Sequence, residues 1–211
     1  MTRARDIRIT RRPILFFTLL SLVLPAAFGC NTGSHGKLVR TENGFRLTES
    51  GATRLGTSAR FRQATESLVA KNLDTAIAEF EAAIEAAPNH AAPRVNLSIA
   101  LRKADRLEEA VDALRAAIEI HPRHVVAHNE LGIVYRKLGQ FDEARESYER
   151  AIALYDDFHP AHRNLGILCD LFLEDSQCAL KHYRRYSEIS PEDAQPSIWI
   201  ADLEQRAARP Q

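Results

Sequence analysis

The 211-residue sequence lacks net charge, because 28 Lys and Arg residues balance 28 Asp and Glu residues. The balance hides an asymmetry. Residues 1–29 carry five arginines against one aspartate, which leaves a net charge of −4 on the remainder. Nucleic-acid binding needs clustered Lys and Arg to meet the phosphates. Because the remainder of the chain is mildly acidic, we do not expect nucleic acid to be a partner.

The sequence also lacks the residue patterns that carry catalysis. It contains no glycine-rich phosphate-binding loop, no nucleophile beside a base and no recognisable pair of catalytic carboxylates. Its composition, with 45% hydrophobic and 27% charged residues, is that of an ordinary globular protein. We therefore expect no enzymatic activity, no cofactor and no small-molecule substrate.

The longest uncharged apolar run is short. Residues 13–29 give 17 such residues, whereas a bilayer-spanning helix needs about 20. The run follows an arginine-rich start and ends in small residues, an order typical of a secretory signal peptide over residues 1–29.

The end of this run, Ala27-Phe28-Gly29-Cys30, resembles the bacterial lipobox, although Phe28 departs from the usual small residue. The resemblance implies that Cys30 is lipidated, with palmitate among its acyl chains, and becomes the mature N-terminus. Asn31 follows in place of an inner-membrane retention Asp, which implies an outer-membrane lipoprotein that faces the periplasm. Two alternatives stay open: a signal peptide that is cut elsewhere, and an uncleaved anchor.

Residues 30–57 are rich in Gly, Ser, Thr and Asn, which is typical of a linker. Within them, Glu42-Asn43-Gly44 separates the segments 37–41 and 45–48. Asn-Gly between two alternating segments predicts a small β-hairpin.

The most informative feature of the chain is a period of 34 residues that recurs from residue 58 onward. Small, aromatic or aliphatic, and proline positions align from unit to unit, and the fourth unit contains one extra residue. The aligned sets are Ala76, Ala110, Ala144 and Ala179; Phe80, Leu114, Tyr148 and Tyr183; Ala83, Ala117 and Ala151; and Pro88, Pro122 and Pro191. A fixed period of this length predicts a stacked array of helix pairs.

The third unit carries Leu131, Gly132 and Tyr135, then Gly139 at the turn, then Ala144 and Tyr148. In this order of residues the chain resembles the tetratricopeptide repeat (TPR) family. The resemblance implies an all-α fold, a right-handed α-solenoid of about four helix-turn-helix units. The predicted repeats are residues 58–89, 90–123, 124–157 and 158–191, and residues 192–211 form a capping helix and tail. Ile198, Trp199 and Leu203 are expected to cover the last unit.

The family resemblance also implies a groove, lined by the first helix of each unit, that holds a protein or peptide partner. The corresponding residues are Val95, Ile99, Arg102, Lys103, Asn129, Ile133, Arg136, Lys137, Arg163 and Ile167, followed by Asp170 and Leu171. The isoleucines form an apolar stripe, and the Arg-Lys pairs form a basic rim that suits an acidic peptide or a C-terminal carboxylate. The alternative is that the cations only solubilise helix ends and the isoleucines only pack between helices.

The remaining polar candidates are histidines and cysteines. His124 and His128 have a spacing that allows a shared metal ion, but no Glu or Cys completes a set and we predict structural histidines with no metal. Cys169 and Cys178 flank one turn and are a candidate disulfide in an oxidising compartment. A pair of free thiols is the favoured interpretation.

These observations predict a membrane-anchored periplasmic scaffold or adaptor that binds proteins. Lipoproteins of this class assist pilus secretin assembly, outer-membrane protein insertion or recruitment of cell-wall hydrolases, which the resemblance implies as contexts. A structural module that binds a second copy of the same chain is the alternative.

Overall fold

The computed structural model describes residues 37–41, 44–48 and 59–208 of the chain. All of them belong to one compact unit, Thr32–Gln211. The predicted signal segment, Cys30 and most of the predicted linker lie outside the described residues.

Two short strands precede the helices. β1 (Lys37–Thr41) and β2 (Gly44–Thr48) pair in antiparallel register, with Lys37 opposite Thr48 and Thr41 opposite Gly44. They occupy the two segments for which the sequence predicts strands, and β2 begins one residue before the predicted start. The other two residues of the predicted turn, Glu42 and Asn43, lie outside the described residues.

Residues 59–208 form α-helices that contact one another in chain order. The helices are α1 (Ala59–Val69), α2 (Leu73–Ala86), α3 (Ala91–Lys103), α4 (Leu107–Ile120), α5 (Val125–Lys137), α6 (Phe141–Leu154), α7 (His159–Leu171), α8 (Ser176–Ile189) and α9 (Gln195–Ala207). The contacts run within each pair and from each pair to the next. The predicted α-solenoid of four helix pairs followed by a terminal helix is confirmed.

The turn inside each unit repeats one backbone device. Lys71, Asp105, Gly139 and Glu174 all have positive φ, at 63°, 61°, 76° and 53°. After the first three of them, the next amide donates back five residues, as from Gln140 N–H to the Tyr135 carbonyl at 2.9 Å. This bond closes a Schellman motif and satisfies a carbonyl at the end of the first helix. In the fourth unit the extra residue lengthens the loop, and Asp175 N–H instead reaches the Cys169 carbonyl at 2.9 Å.

The helices of a pair approach closely because a small residue faces a large one. A Cβ atom added to Gly132 would lie 2.5 Å from the Tyr148 ring, and one added to Gly166 would lie 2.5 Å from the Tyr183 ring. Both tyrosine side chains are almost wholly buried. Glycine at these two positions therefore creates the space for the ring on the partner helix.

The last helix covers the open end of the stack. Leu203 is 1% exposed and continues the buried column of Val134 and Leu168, so α9 sits as the first helix of an incomplete fifth unit. The Trp199 ring lies 5.0 Å from the Tyr183 ring, measured between centroids. Ile198 is 61% exposed, so the prediction that it covers this face is wrong; Ile200 packs against the core instead.

The first helix explains why the repeat pattern is weak at its start. Gln63 and Glu66 stand in columns that hold Leu131 and Val134 in the third unit, and both are exposed. No helical unit precedes α1 among the described residues, so these columns meet water there. Terminal units of repeat arrays need such a polar outer face.

Candidate functional site

The first helices of the second, third and fourth units lie side by side. Asn164 Nδ2 of α7 donates to Asn129 Oδ1 of α5 at 2.9 Å, and Arg102 of α3 forms an ion pair with Glu130 of α5 at 3.0 Å. These bonds join successive first helices. The predicted groove residues therefore belong to one continuous surface, which we call the first-helix surface (the exposed side of α3, α5 and α7).

The isoleucine stripe is only half covered. Ile99, Ile133 and Ile167 are each partly exposed and pack against the core with the rest of the side chain. Both interpretations of the sequence thus apply to these residues. They pack between neighbouring helices, and they also present an apolar edge to solvent.

Two of the predicted groove residues are not available to a ligand. Val95 is 3% exposed and Asn129 is 4% exposed. The Asn129 side chain is used to hold α7, as described above. Val95 and Asn129 lie beneath the surface, so the prediction that they line it is wrong.

The predicted basic rim is partly neutralised by neighbouring carboxylates. Arg102 is held by Glu130, whose pKa is raised because burial outweighs the opposing effect of the Arg102 charge beside it. Lys137 Nζ lies 3.6 Å from Asp105 Oδ1, in an exposed pair that is worth little in water. Lys103 is exposed, in the last turn of α3. Cations in the last turn also interact favourably with the helix dipole, which gives Arg102, Lys103, Arg136 and Lys137 a structural role besides any ligand.

The other two arginines rest on aromatic rings. The Arg136 guanidinium lies 5.6 Å from the centroid of the Phe172 ring, and that of Arg163 lies 5.9 Å from the Trp199 ring. Distances below about 6 Å are favourable for a cation over an aromatic face. Both guanidinium groups are therefore held in place at the C-terminal part of the first-helix surface.

The C-terminal end of this surface is apolar and linked to the capping helix. Asp170 accepts a hydrogen bond from Arg206 at 2.7 Å, so its charge is turned towards α9. Leu171 is 65% exposed and Phe172 is 39% exposed, with the Phe172 ring 5.0 Å from Phe141. Phe172 is not among the residues predicted from the sequence. The extra residue in this turn was the available signal, because it displaces the loop that carries the ring.

Beyond the opposite end of this surface lies α1, for which no groove residue was predicted from the sequence. The alignment by 34 residues places Phe61, Thr65 and Val69 of α1 in the columns of Val95, Ile99 and Lys103. Val69 is 77% exposed. Together with α1, the first-helix surface therefore has exposed apolar groups at both ends and exposed lysines in between.

The histidines have structural partners. His128 Nε2 lies 2.9 Å from the Pro122 carbonyl, and His162 Nε2 lies 2.8 Å from the Asp156 carbonyl, which stands at the same position one unit later. A carbonyl can only accept, so each imidazole donates from Nε2. In the second unit Arg94 has this role, with Nη1 2.7 Å from the Pro88 carbonyl. In the part of the chain that the structure describes, no three His, Cys, Asp or Glu side chains cluster to hold a metal ion.

His162 makes a second contact, to a histidine on the next helix. Its Nδ1 lies 2.9 Å from His182 Nδ1, and both side chains are buried. Because His162 donates from Nε2, its Nδ1 accepts from His182. Burial, and then the neighbouring imidazole, lowers the pKa of His182 to about 4, so the pair is neutral near pH 7.

Cys169 and Cys178 form a disulfide in the structure, with their Cα atoms 5.8 Å apart. The favoured prediction of two free thiols is wrong. Cys169 is fully buried on α7, and the extra residue in the following turn brings Cys178 of α8 opposite to it. The cross-link joins the two helices of the fourth unit.

Family models described as tetratricopeptide repeat match residues 61–125 and 123–192. Together they cover more than half of the chain. The protein is a helical repeat protein, and it belongs to the tetratricopeptide repeat family. No curated protein matches the sequence significantly.

Solved structures agree with this assignment at the level of the fold. PilF of Pseudomonas aeruginosa is 18% identical, with a TM-score of 0.67 over 75% of this chain and 71% of that one. The first TPR domain of Spaghetti (RPAP3), bound to the HSP90 peptide SRMEEVD, is 21% identical, with a TM-score of 0.54 over 56% and 94% of the two chains. YrrB, a TPR protein with an unusual peptide-binding site, is 21% identical, with a TM-score of 0.57 over 72% and 78%.

TPR proteins act as protein-interaction scaffolds, and the family is generally not catalytic. None of the described helices combines the length and the apolar character that would let it cross a membrane.

Proposed function

We propose that this protein is a lipid-anchored scaffold of a bacterial envelope that binds partner proteins through the first-helix surface. The observation that carries the proposal is the continuity of this surface. Partly exposed isoleucines and exposed lysines recur on adjacent helices that side-chain hydrogen bonds hold together.

The ligand that suits this surface is an extended acidic segment or a chain end with a free carboxylate. The exposed ammonium groups of Lys103 and Lys137 provide charge, and the isoleucines provide apolar contact. The peptide SRMEEVD, which the Spaghetti domain binds, is itself acidic. Charge-assisted hydrogen bonds to carboxylates are among the stronger polar contacts in proteins.

The proposed location is the outer membrane, with the repeat domain in the periplasm. Residues 1–29 and the sequence Ala27-Phe28-Gly29-Cys30 support export and lipidation at Cys30. The disulfide between Cys169 and Cys178 adds independent support, because such bonds persist in the periplasm and are rare in the cytosol. Two or three acyl chains suffice for stable anchoring.

Ligand binding is tested with a library of acidic peptides that have free C-termini, with SRMEEVD among them, and with the amidated form of each peptide that binds. The double variant Lys103→Glu and Lys137→Glu should weaken binding at least ten-fold in fluorescence anisotropy. Arg102 is not suitable for reversal, because a glutamate there would face the mostly buried Glu130. The matched control reverses Arg123 and Lys181, which are exposed and lie in the loop before α5 and on the second helix α8. Equal binding by all three proteins would refute the proposed ligand.

Anchoring is tested in cells with Cys30→Ser. The protein with the native sequence should incorporate a palmitate analogue and sediment with outer membranes. The Cys30→Ser variant should do neither. If the protein with the native sequence takes up no palmitate analogue, the proposed anchor is contradicted.

A further inference from the structure

A cleft with a volume of about 710 Å³ lies between the second helices α4 and α6, above α5. Its floor includes Leu131 and Tyr135 of α5, and Ile118 and Ala153 contribute apolar side walls. Ligand-binding pockets usually have volumes of about 300–1,000 Å³ and a mostly apolar lining. None of the residues predicted for the first-helix surface lines this cleft.

The cleft is open because a small residue stands where the next unit has a large one. Ser147 of α6 aligns with His182 of α8, and the Ser147 hydroxyl donates to the Glu143 carbonyl of its own helix at 2.7 Å. One unit later, His182 reaches His162, and Arg185 bridges Asp156 and Asp157 at 2.6 and 2.8 Å. The equivalent space between α6 and α8 is thus spanned by side chains.

Acidic side chains surround the apolar floor. Four glutamates line the cleft, namely Glu119, Glu143, Glu146 and Glu149. Two arginines face them, and the guanidinium of one, Arg115, is engaged by the Tyr135 hydroxyl at 3.0 Å. The negative charge therefore exceeds the positive charge here, which is the reverse of the lysine-bearing first-helix surface.

We propose that this cleft, the second-helix cleft, is a separate peptide-binding site that takes a basic partner segment with one apolar anchor side chain. The anchor fills the space beside Ser147, and flanking Lys or Arg side chains pair with the glutamates. Complementary charge of this kind favours encounter with the right partner and excludes acidic ones. The site goes beyond the proposed function, because it does not use the first-helix surface.

The test uses the full chain and a synthetic array of ten-residue peptides at 0.15 M salt. One set places Leu or Phe between Lys and Arg residues, a second set replaces the apolar residue by Ser, and a third replaces the basic residues by Glu. The first set should be retained selectively. An array that retains it no better than the other two sets would overturn the proposal.

Two variants then locate the binding. Ser147→His fills the cleft with the residue that the next unit carries, and Glu119→Lys with Glu146→Lys reverses charge at exposed positions. Each should raise the Kd of the best basic peptide at least ten-fold. Lys103→Glu, on the first-helix surface, should change it less than two-fold. Should the exposed charge reversals leave the Kd unchanged, the cleft is not the site, whatever the stability of the Ser147→His variant.

Discussion

At the residue scale, one column of small residues sets the spacing within each helix pair. The third and fourth units place Gly132 against Tyr148 and Gly166 against Tyr183, with no room for a Cβ atom. The second unit has the larger Ser98 in the glycine column and the smaller Leu114 in the tyrosine column, and both are buried. Volume lost on one helix is thus matched by volume gained on the other.

Gly132→Ser should therefore destabilise the protein by about 1–3 kcal/mol, as overpacking of a core generally does. The double variant that also carries Tyr148→Leu copies the second unit, and it should lose less stability than the sum of the two single variants. Urea denaturation of all four proteins measures this coupling. Strictly additive losses would show that the two positions do not share one space.

A histidine at the start of α5 provides a second test at this scale. His124 is 3% exposed, and its Nδ1 accepts a hydrogen bond from the Ala127 amide at 3.1 Å. Burial lowers the pKa of His124 to about 3 from 6.5. The unfolded chain therefore binds a proton below pH 6.5 that the folded chain refuses, and stability falls as the pH drops through this range.

Between pH 6.5 and pH 5, the free energy of unfolding should fall by about 2 kcal/mol because of His124. His124→Asn retains an N-cap acceptor and should remove that part of the acid sensitivity. His90→Asn is the matched control, since His90 holds the same position in the second unit without a side-chain cap bond. The test measures the free energy of unfolding of each protein at the two pH values. If the pH dependence in His124→Asn equals that of the native sequence, His124 is not a source of the acid sensitivity.

At the element scale, the period of 34 residues predicts the helix pairs because each unit must bury the same columns. Two of the wrong predictions lie where this repetition is interrupted. The extra residue before α8 brings Cys178 to Cys169, and the end of the stack leaves Ile198 in water. Neither outcome follows from the period, since each depends on how one loop or one terminus departs from it.

The candidate site likewise combines features that the period predicts with features that it does not. The period correctly places Ile99, Ile133 and Ile167 on one surface, because they occupy one column on adjacent helices. It does not reveal that Arg102 is matched by Glu130, or that Phe172 lies beneath Arg136, since these contacts join different columns of different units.

The disulfide should stabilise the fourth unit. Its cysteines are nine residues apart in sequence, and closing a loop of this size lowers the entropy of the unfolded chain by an amount worth about 2–3 kcal/mol. Reduction should lower the melting temperature of the unmodified protein and leave that of Cys178→Ser unchanged. A thiol titration under denaturing, non-reducing conditions that finds both cysteines free would contradict the cross-link.

At the scale of the whole molecule, each end of the stack carries polar side chains in columns that are apolar in the internal units. Gln63 and Glu66 face outward on α1, and Glu204 of α9 stands in the column of Tyr135 and Cys169 and pairs with Arg184. A further unit stacked on either end would bury these groups without the apolar contacts that join the internal units. The ends thus argue against open-ended assembly of copies.

The protein should therefore be monomeric at low micromolar concentration. A concentration series by light scattering measures this directly, and a mass that rises with concentration would favour the alternative of a homo-oligomerisation module. Glu66→Leu with Gln63→Leu restores the internal columns on α1 and should promote association, which makes it a positive control.

The central claim, that the first-helix surface recruits a partner protein, is tested most directly by photo-crosslinking in intact cells. A photoreactive amino acid is placed at Lys103, or at the exposed Glu81 of α2 as the control position, and captured proteins are identified by mass spectrometry. The account predicts a discrete partner from position 103 that is absent from position 81 and is lost when Lys137 is reversed to glutamate. Equal capture from both positions, or none from position 103, would contradict it.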